Sequence, residues 1–400
     1  MAVVILYLPD AASAGLAARS VAGRSLAFRA AVAAARAGAS IVGIPGGLRS
    51  PHLEREMRRA PEASRAVCWI DAAAPEPRFG GPCLLLPVSA LMEVPALRAL
   101  IARGADGDVA VLAGTASDGA PILSAPAPLV GRLWPRLAAG QPLGAELGRC
   151  AEAAPGDGVT ASGRPPIAVR TEADLTRVEA RLYEGLGLQA DTGVDRFLHR
   201  RCSLPLTRVL ARTPATPNQV SLASLAVGAG SLWCVWNATP ASAALGIALY
   251  AIACVIDHSD GELARLTAQE SRLGAHLDWT IDTIIHSGLA LAMAVTAAGP
   301  PLGLGLGAVA ASGVALSAAL ARRLPREIEV GPSVGGVLRH LGNRDLFYLV
   351  LLVFVLLRTL APALLVALAV LVAVGSHAYW IACLARIRRG RGAPPDRAPE

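Results

Sequence analysis

The rhythm of hydrophobic and polar positions changes near residue 190. Before it, short apolar runs at 3–8, 41–44, 67–70, 84–87 and 109–112 alternate with helix-like stretches at 25–36 and 95–103. Strands that alternate with helices predict a largely parallel sheet, so residues 1–190 are expected to form an α/β domain. The segment 171–183 opens with Thr171-Glu-Ala-Asp174, a capping-box pattern, and continues as an amphipathic helix that closes this domain.

Beyond residue 190 the apolar runs lengthen. No charged residue occurs from 219 to 256, and Asn237 to Pro240 break that run in two. After Asp282 the next charge is Arg322, with a break at 299–301, which predicts two further spans. Runs at 346–357 and 359–385 complete an expected set of about six transmembrane helices, each needing roughly 20 residues to cross the hydrocarbon core. The fifth is the shortest, and Arg358 at its end is expected to reach toward the interface. The expected organisation is therefore an α/β domain at 1–190, an interfacial amphipathic helix at 191–217, a membrane domain at 218–390 and a disordered tail at 391–400. The interfacial helix mixes Arg196, Arg200, Arg201, Arg208 and Arg212 with Phe197, Leu198, Leu204, Leu206, Val209 and Leu210.

Composition agrees with lipid as the second solvent, since 54% of residues are hydrophobic and 17% charged. The net charge of +7 comes from arginine alone, as the chain holds no lysine. Its basic residues cluster before the first span, between the fourth and fifth (Arg322, Arg323, Arg326, Arg339, Arg344) and after the sixth (Arg386, Arg388, Arg389, Arg391). The opposite loops are uncharged, so the positive-inside rule places both termini and the aspartate-bearing region at 257–282 on the cytoplasmic side of the cell membrane. This distribution explains the basic balance without nucleic acid as a partner. The N-terminal apolar run is too short, and lacks the basic flank, for a secretory signal. Seven scattered cysteines without CxxC spacing indicate neither a zinc site nor a disulfide framework.

The candidate chemistry lies at the ends of the second and third spans. Asp257, Asp260, Gly261 and Ala264 fall on one helix face, followed by Arg265; eight residues later Gly274, Asp278 and Asp282 repeat the arrangement. Facing each other, the two helices would make an acidic cluster beside a slot with little side-chain bulk. Each carboxylate near a helix centre costs about 2.5–3.5 kcal/mol on insertion scales. Four together repel unless neutralised, and hard divalent cations, Mg²⁺ or Mn²⁺, are the expected neutraliser, two ions being suited to displacement at phosphorus. Aspartates that merely cap helices or sit in solvent are the alternative, which the interleaved glycines disfavour. His258 points off this face, and His276 is likewise not expected to bind metal. His286 is expected to make a packing hydrogen bond. Trp233, Trp236 and Trp380 suit interfacial anchors.

This string fills the pattern D-x2-D-G-x2-A-R-x8-G-x3-D-x3-D and resembles the signature of the CDP-alcohol phosphotransferase (phosphatidyltransferase) family. The likeness extends over about residues 190–390 and includes Thr213-Pro-Ala-Thr-Pro217-Asn218 ahead of the first span. It implies transfer of a substituted phosphate from a CDP-alcohol to the hydroxyl of an alcohol or polyol-phosphate acceptor, with release of CMP, in a homodimer among membrane lipids. It further implies Asp257, Asp260 and Asp278 as metal ligands, and Asp282 as general base and additional metal contact. Gly261, Ala264, Arg265, Gly274 and Asn218 would line the nucleotide site, and Arg272 is a candidate for the acceptor.

Residues 21–38 resemble part of the sugar-phosphate nucleotidyltransferases, and the fusion resembles bifunctional inositol-phosphate cytidylyltransferase and di-inositol-phosphate phosphate synthase proteins. Leu8 to Gly15 lacks the GxGxR loop of such enzymes, and Leu86 to Ala90 lacks their metal-binding acid. A nucleotidyltransferase-like domain with a degenerate site is expected; the alternative is a bifunctional enzyme that also makes its CDP-alcohol from CTP. An ion-coupled transporter is the rival of another class. It would carry its acids near mid-bilayer, whereas these lie at helix ends beside a basic loop.

Overall fold

The computed structural model describes residues 2–71, 82–103, 110–113, 120–153, 164, 166–186, 199–237, 239–323 and 344–390. Arg196, Phe197, Leu198, Arg326, Arg339 and the tail 391–400, which enter the expectations above, lie outside them. The chain divides into two compact units.

The first unit comprises Met1–Leu188 with Ala211–Thr213 and Ala264–Glu270. Its strands are β1 (Val3–Tyr7), β2 (Ser20–Val21), β3 (Arg24–Ser25), β4 (Ile41–Pro45), β5 (Val67–Ile70), β6 (Cys83–Pro87), β7 (Ala90–Leu91), β8 (Ala110–Ala113), β9 (Ile122–Ala125) and β10 (Ile167–Ala168). Its helices are α1 (Ser13–Ala17), α2 (Leu26–Arg36), α3 (Pro51–Arg59), α4 (Pro61–Ala66), α5 (Val94–Arg103), α6 (Ala127–Ala138), α7 (Gly144–Ala153) and α8 (Glu172–Leu186). The main sheet runs β5-β4-β1-β6-β9-β8. Its first four strands are parallel, and β9 pairs antiparallel with both β6 and β8. The continuous apolar runs follow from burial on both faces. On β1, Val4 and Leu6 join one core with Phe28 of α2, while Ile5 and Tyr7 join the other with Leu133 and Leu137 of α6. The expected α/β unit is thus present.

Three local features shape it. Between β2 and β3, Ala22 and Gly23 have φ of 47° and 78°, the two-residue turn that suits a tight hairpin. At Gly23 a Cβ would lie 1.9 Å from the Ala211 carbonyl oxygen, so glycine is required there twice over. The buried guanidinium of Arg29 donates to the carbonyls of Val21, Ala22 and Leu266, which ties the hairpin and the Ala264–Glu270 segment into the unit. Burial lowers its pKa to about 10, still well above neutrality. At the start of α8 the capping box is complete: Thr171 Oγ1 accepts from the Asp174 amide at 3.3 Å, and Asp174 Oδ2 accepts from the Thr171 amide at 2.9 Å.

The second unit comprises Gln189–Leu210, Pro214–Leu263 and Ser271–Glu400. It holds α9 (Arg200–Ala211), α10 (Pro217–Asn237), α11 (Pro240–Thr267), α12 (Arg272–Ala298), α13 (Leu302–Arg323), α14 (Arg344–Leu360) and α15 (Leu365–Gly390). Local chemistry sets the helix starts. Thr216 and Gln219 bond each other's amides around Pro217, Thr239 Oγ1 accepts from the Ser242 amide, and Ser271 Oγ accepts from the Gly274 amide. Gly299, with φ of 67°, closes α12. Central α12 packs against α10, α13 and α15.

Among the described residues five helices are long and apolar enough to cross a membrane, and at most 39% of any of their apolar windows is buried within the chain. Outward side chains such as Leu222, Leu245, Ile252, Leu304 and Leu371 are exposed. That much uncovered apolar surface suits lipid. A further apolar helix, α14, has 17 residues, or about 25 Å of rise against a core of about 30 Å. Arg358 donates to the Thr296 carbonyl at 3.1 Å, near the end of α12, and lies over the Phe354 ring. It thereby answers the negative end of α12.

Candidate metal and nucleotide site

The four aspartates stand on two consecutive helices, Asp257 and Asp260 on α11, Asp278 and Asp282 on α12. Asp257, Asp278 and Asp282 each present a carboxylate oxygen such that the three lie within 4.8 Å of one another. A donor set made only of carboxylate oxygens suits a hard divalent cation, and without one the charges repel. The residues fit Mg²⁺ or Mn²⁺ on that ground. This group contains no histidine.

Asp260, 5% exposed, is turned to another partner. Its Oδ2 accepts a hydrogen bond from Ser221 of α10. Ser221 was not singled out from the sequence. Its signal was its position, one turn after Asn218 on the helix that the Thr-Pro-Asn motif begins. Asn218 itself approaches the glycine of the second signature half: a Cβ at Gly274 would lie 3.2 Å from Asn218 Oδ1 and 3.1 Å from Ser271 Oγ. Two of the expected nucleotide-site residues, from α10 and from the first turn of α12, are therefore neighbours. Arg265, on the last turns of α11, has its Nε buried without a hydrogen-bond partner among the described residues. An anionic ligand would satisfy it. Arg272 is exposed at the first position of α12.

The histidines behave as structural groups. His258 Nδ1 bonds the Cys254 carbonyl at 2.8 Å, and its ring lies 4.8 Å from that of His199. His276 is exposed. His286 makes the expected packing bond, its Nε2 being 2.7 Å from the Tyr250 hydroxyl, while its Nδ1 bonds the Asp282 carbonyl. A carbonyl only accepts, so Nδ1 carries a proton, and in the neutral ring Nε2 accepts from Tyr250. Tyr250 and His286 thus join α11 to α12 two turns before Asp257 and one turn after Asp282. Trp279, beside Asp278, donates to the Ala318 carbonyl of α13 and lies under the guanidinium of Arg322.

Two groups escaped sequence reading altogether. His199 and Glu262 are 0% and 2% exposed. His199 Nε2 is 2.7 Å from the Tyr348 hydroxyl of α14. Glu262 occupies a variable position inside the signature and bonds Ser203 and Thr207 of α9. In α9 the buried Ser203 and Thr207 are polar, while Val209, expected to enter the membrane interface, is 62% exposed.

In the first unit, the stretch after β1 is not a Gly-rich loop. Asp10 accepts from the Ser13 amide and hydroxyl, both at 2.7 Å, and starts the short helix α1.

Residues 215–385 match the model of the CDP-alcohol phosphatidyltransferase family. The chain is also similar to two curated proteins named bifunctional IPC transferase and DIPP synthase. It is 35% identical to that of Rubrobacter xylanophilus over 137 residues, 32% of this chain and 30% of the relative. It is 30% identical to that of Thermococcus kodakarensis over 112 residues, 28% of this chain and 25% of the relative. The matches therefore span less than a third of those relatives' lengths. Together they support a CDP-alcohol phosphotransferase domain at residues 215–385.

Proposed function

We propose that the protein is an integral membrane transferase that moves a substituted phosphate from a CDP-alcohol to the hydroxyl of a second alcohol and releases CMP. The observation that carries this reading is the convergence of Asp257, Asp278 and Asp282, from two consecutive helices, inside the region that matches the family. In the proposal α14 is the sixth span, the acidic ends of α11 and α12 face the cytoplasm, and the membrane is the cell membrane.

Divalent ions, Mg²⁺ or Mn²⁺, when bound would offset the charge of the donor pyrophosphate and of the departing CMP. Asp257, Asp260 and Asp278 would hold them, Asp260 with Ser221 orienting its carboxylate. Asp282 accepts the proton of the acceptor hydroxyl. The acceptor oxygen bonds the phosphorus that carries the alcohol, and the bridging P–O bond breaks with its electron pair going to CMP. Asn218, Gly261, Ala264 and Gly274 leave room for the cytidine diphosphate, Arg265 pairs with a phosphate oxygen, and Arg272 meets an anionic acceptor. The relatives' name and the fused α/β unit favour a polyol-phosphate product with a soluble donor such as CDP-inositol over a lipid donor such as CDP-diacylglycerol.

The test is CMP release by the purified chain across a panel of CDP-alcohols and acceptors with Mg²⁺ or Mn²⁺, products being identified by mass. Metal-dependent CMP release is expected; substrate flux across vesicles without CMP would establish the transporter instead. The first unit, with α1 in place of a phosphate-wrapping loop, is proposed to be a degenerate nucleotidyltransferase. CTP and an alcohol phosphate should then yield no pyrophosphate with the full chain.

A further inference from the structure

We propose that Glu262 is a positioning residue that latches α9 to the back of α11 and so sets the roll of the acidic face. The inference rests on the metal-dependent transferase reading above and deepens it.

Glu262 lies five residues after Asp257 and two after Asp260, hence about 140–160° around the helix from either carboxylate. Its side chain leaves the acidic face and enters a polar seam. Ser203 Oγ donates to Oε1 at 2.8 Å and Thr207 Oγ1 to Oε2 at 2.7 Å. Both hydroxyls are 0% exposed and Glu262 is 2% exposed. No ion pair to Glu262 occurs among the described residues. A buried carboxylate held by two neutral hydroxyls is a costly way to pack two helices, because apolar side chains would do so without desolvating a charge. It is, however, a directional one. Two oxygens bonded to hydroxyls one turn apart on α9 fix both the height and the rotation of α11.

The seam continues around Glu262. His199, one turn before Ser203, is fully buried and holds Tyr348 of α14, and its ring lies against His258. Ser259, also 0% exposed, bonds the Val255 carbonyl and reaches the Ser203 carbonyl at 3.4 Å. His199, just before α9, and Ser203 and Thr207 within it form a polar stripe with the spacing i, i+4, i+8, which ends at the buried Ala211.

The lever is geometric. A side-chain oxygen sits about 5–6 Å from the helix axis, so a roll of about 20° moves a carboxylate on the front face by about 2 Å. Mg²⁺ tolerates ligand distances only near 2.0–2.1 Å in near-octahedral geometry. Loosening the back of α11 therefore misplaces Asp257 relative to Asp278 and Asp282. Outer-shell partners of this kind are generally worth about 10–100-fold in metal affinity.

Mn²⁺ binding to the full chain in detergent, read by the EPR signal of free ion, tests this. Glu262→Ala should weaken Mn²⁺ at least about tenfold. Glu262→Gln, whose amide can accept from one hydroxyl and donate to the other, should stay within about threefold. Thr207→Val should weaken binding alone but add nothing to Glu262→Ala, since both break the same contact. Unchanged Mn²⁺ affinity in Glu262→Ala, even with a lowered melting temperature, would overturn the proposal, as would additive effects. If Glu262→Ala does not fold, Thr207→Val and Ser203→Ala carry the test: unchanged affinity in both overturns it. A wild-type chain that binds Mn²⁺ but releases CMP from no CDP-alcohol would sink the transferase reading and leave the latch standing. A wild-type chain that binds no Mn²⁺ would sink both.

Discussion

Replacing Asp278 by asparagine should make the metal-free protein more stable and at the same time remove its response to Mg²⁺. The carboxylate oxygens of Asp257, Asp278 and Asp282 lie within 4.8 Å of one another. At that distance and an effective dielectric constant of about 20, each pair of charges repels by about 3.5 kcal/mol. In alkaline buffer, where all three carboxyls are ionised and no proton is shared between Asp278 and Asp257, asparagine keeps the shape of the side chain and removes two of the three pairs. Asp278 and Asp282 are only half-buried, so water screens them and the gain is set at the lower end, about 3 kcal/mol. For a unit of this size that is a rise in melting temperature on the order of 5–10 °C in EDTA. Wild-type protein should instead gain about 2.7 kcal/mol from Mg²⁺ at a hundredfold excess over its dissociation constant, and the variant little or nothing. Tryptophan fluorescence during thermal unfolding in detergent, with EDTA or Mg²⁺, reads both. A variant that melts at or below wild type in EDTA would refute the argument that the cluster is held together against its own charge.

Asp282→Asn should abolish CMP release by at least about 100-fold, the scale of a lost general base, while binding of a CDP-alcohol measured by calorimetry persists; full turnover would remove Asp282 as base. Gly274→Ala, whose Cβ would meet Asn218 Oδ1 at 3.2 Å, should raise KM for the CDP-alcohol more than it lowers kcat, and a pure kcat effect would place Gly274 outside the nucleotide site. Asp174→Ala should cost the first unit about 1 kcal/mol as the α8 cap is lost. The Arg177 guanidinium, then the amides and hydroxyl of Arg170 and Thr171, hold the Asp174 carboxyl well below the usual range. Its contribution is therefore complete above the unfolded value of about 3.9 and fades as pH falls through the lower folded value. The stability gap between wild type and Asp174→Asn should narrow on acidification, and a gap that widened would contradict the assigned ionisation.

The sequence made the acidic site legible because its logic is local. Asp257, Asp260, Gly261 and Ala264 share a face through helical periodicity alone, and no knowledge of tertiary packing is needed to see that they do. The same is true of the α8 cap, where Thr171 and Asp174 are three residues apart, and of β1, β4 and β6, whose apolar runs are continuous because both sheet faces are covered. The antiparallel strand β9 was not legible, since Ile-Leu-Ser-Ala is short and its placement between β6 and β8 depends on pairings from elsewhere in the chain. Nor was the bond from Ser221 to Asp260, which joins residues 39 positions apart.

Glu262 shows most clearly why a helix inside a signature cannot be read from one side. Counting along the chain assigns it to a variable gap, and a charged residue at a helix end reads most simply as solvated. Its burial against Ser203 and Thr207 reverses that reading, because a carboxylate that is 2% exposed must be held by something. The front of α11 then has to be understood together with its back. In the proposed site the small residues Gly261 and Ala264 leave room for a ligand, which also leaves that face of the helix with little side-chain packing. A helix without bulk in front keeps its orientation only if it is fixed from behind, and the hydroxyls of α9 are in the place to do it.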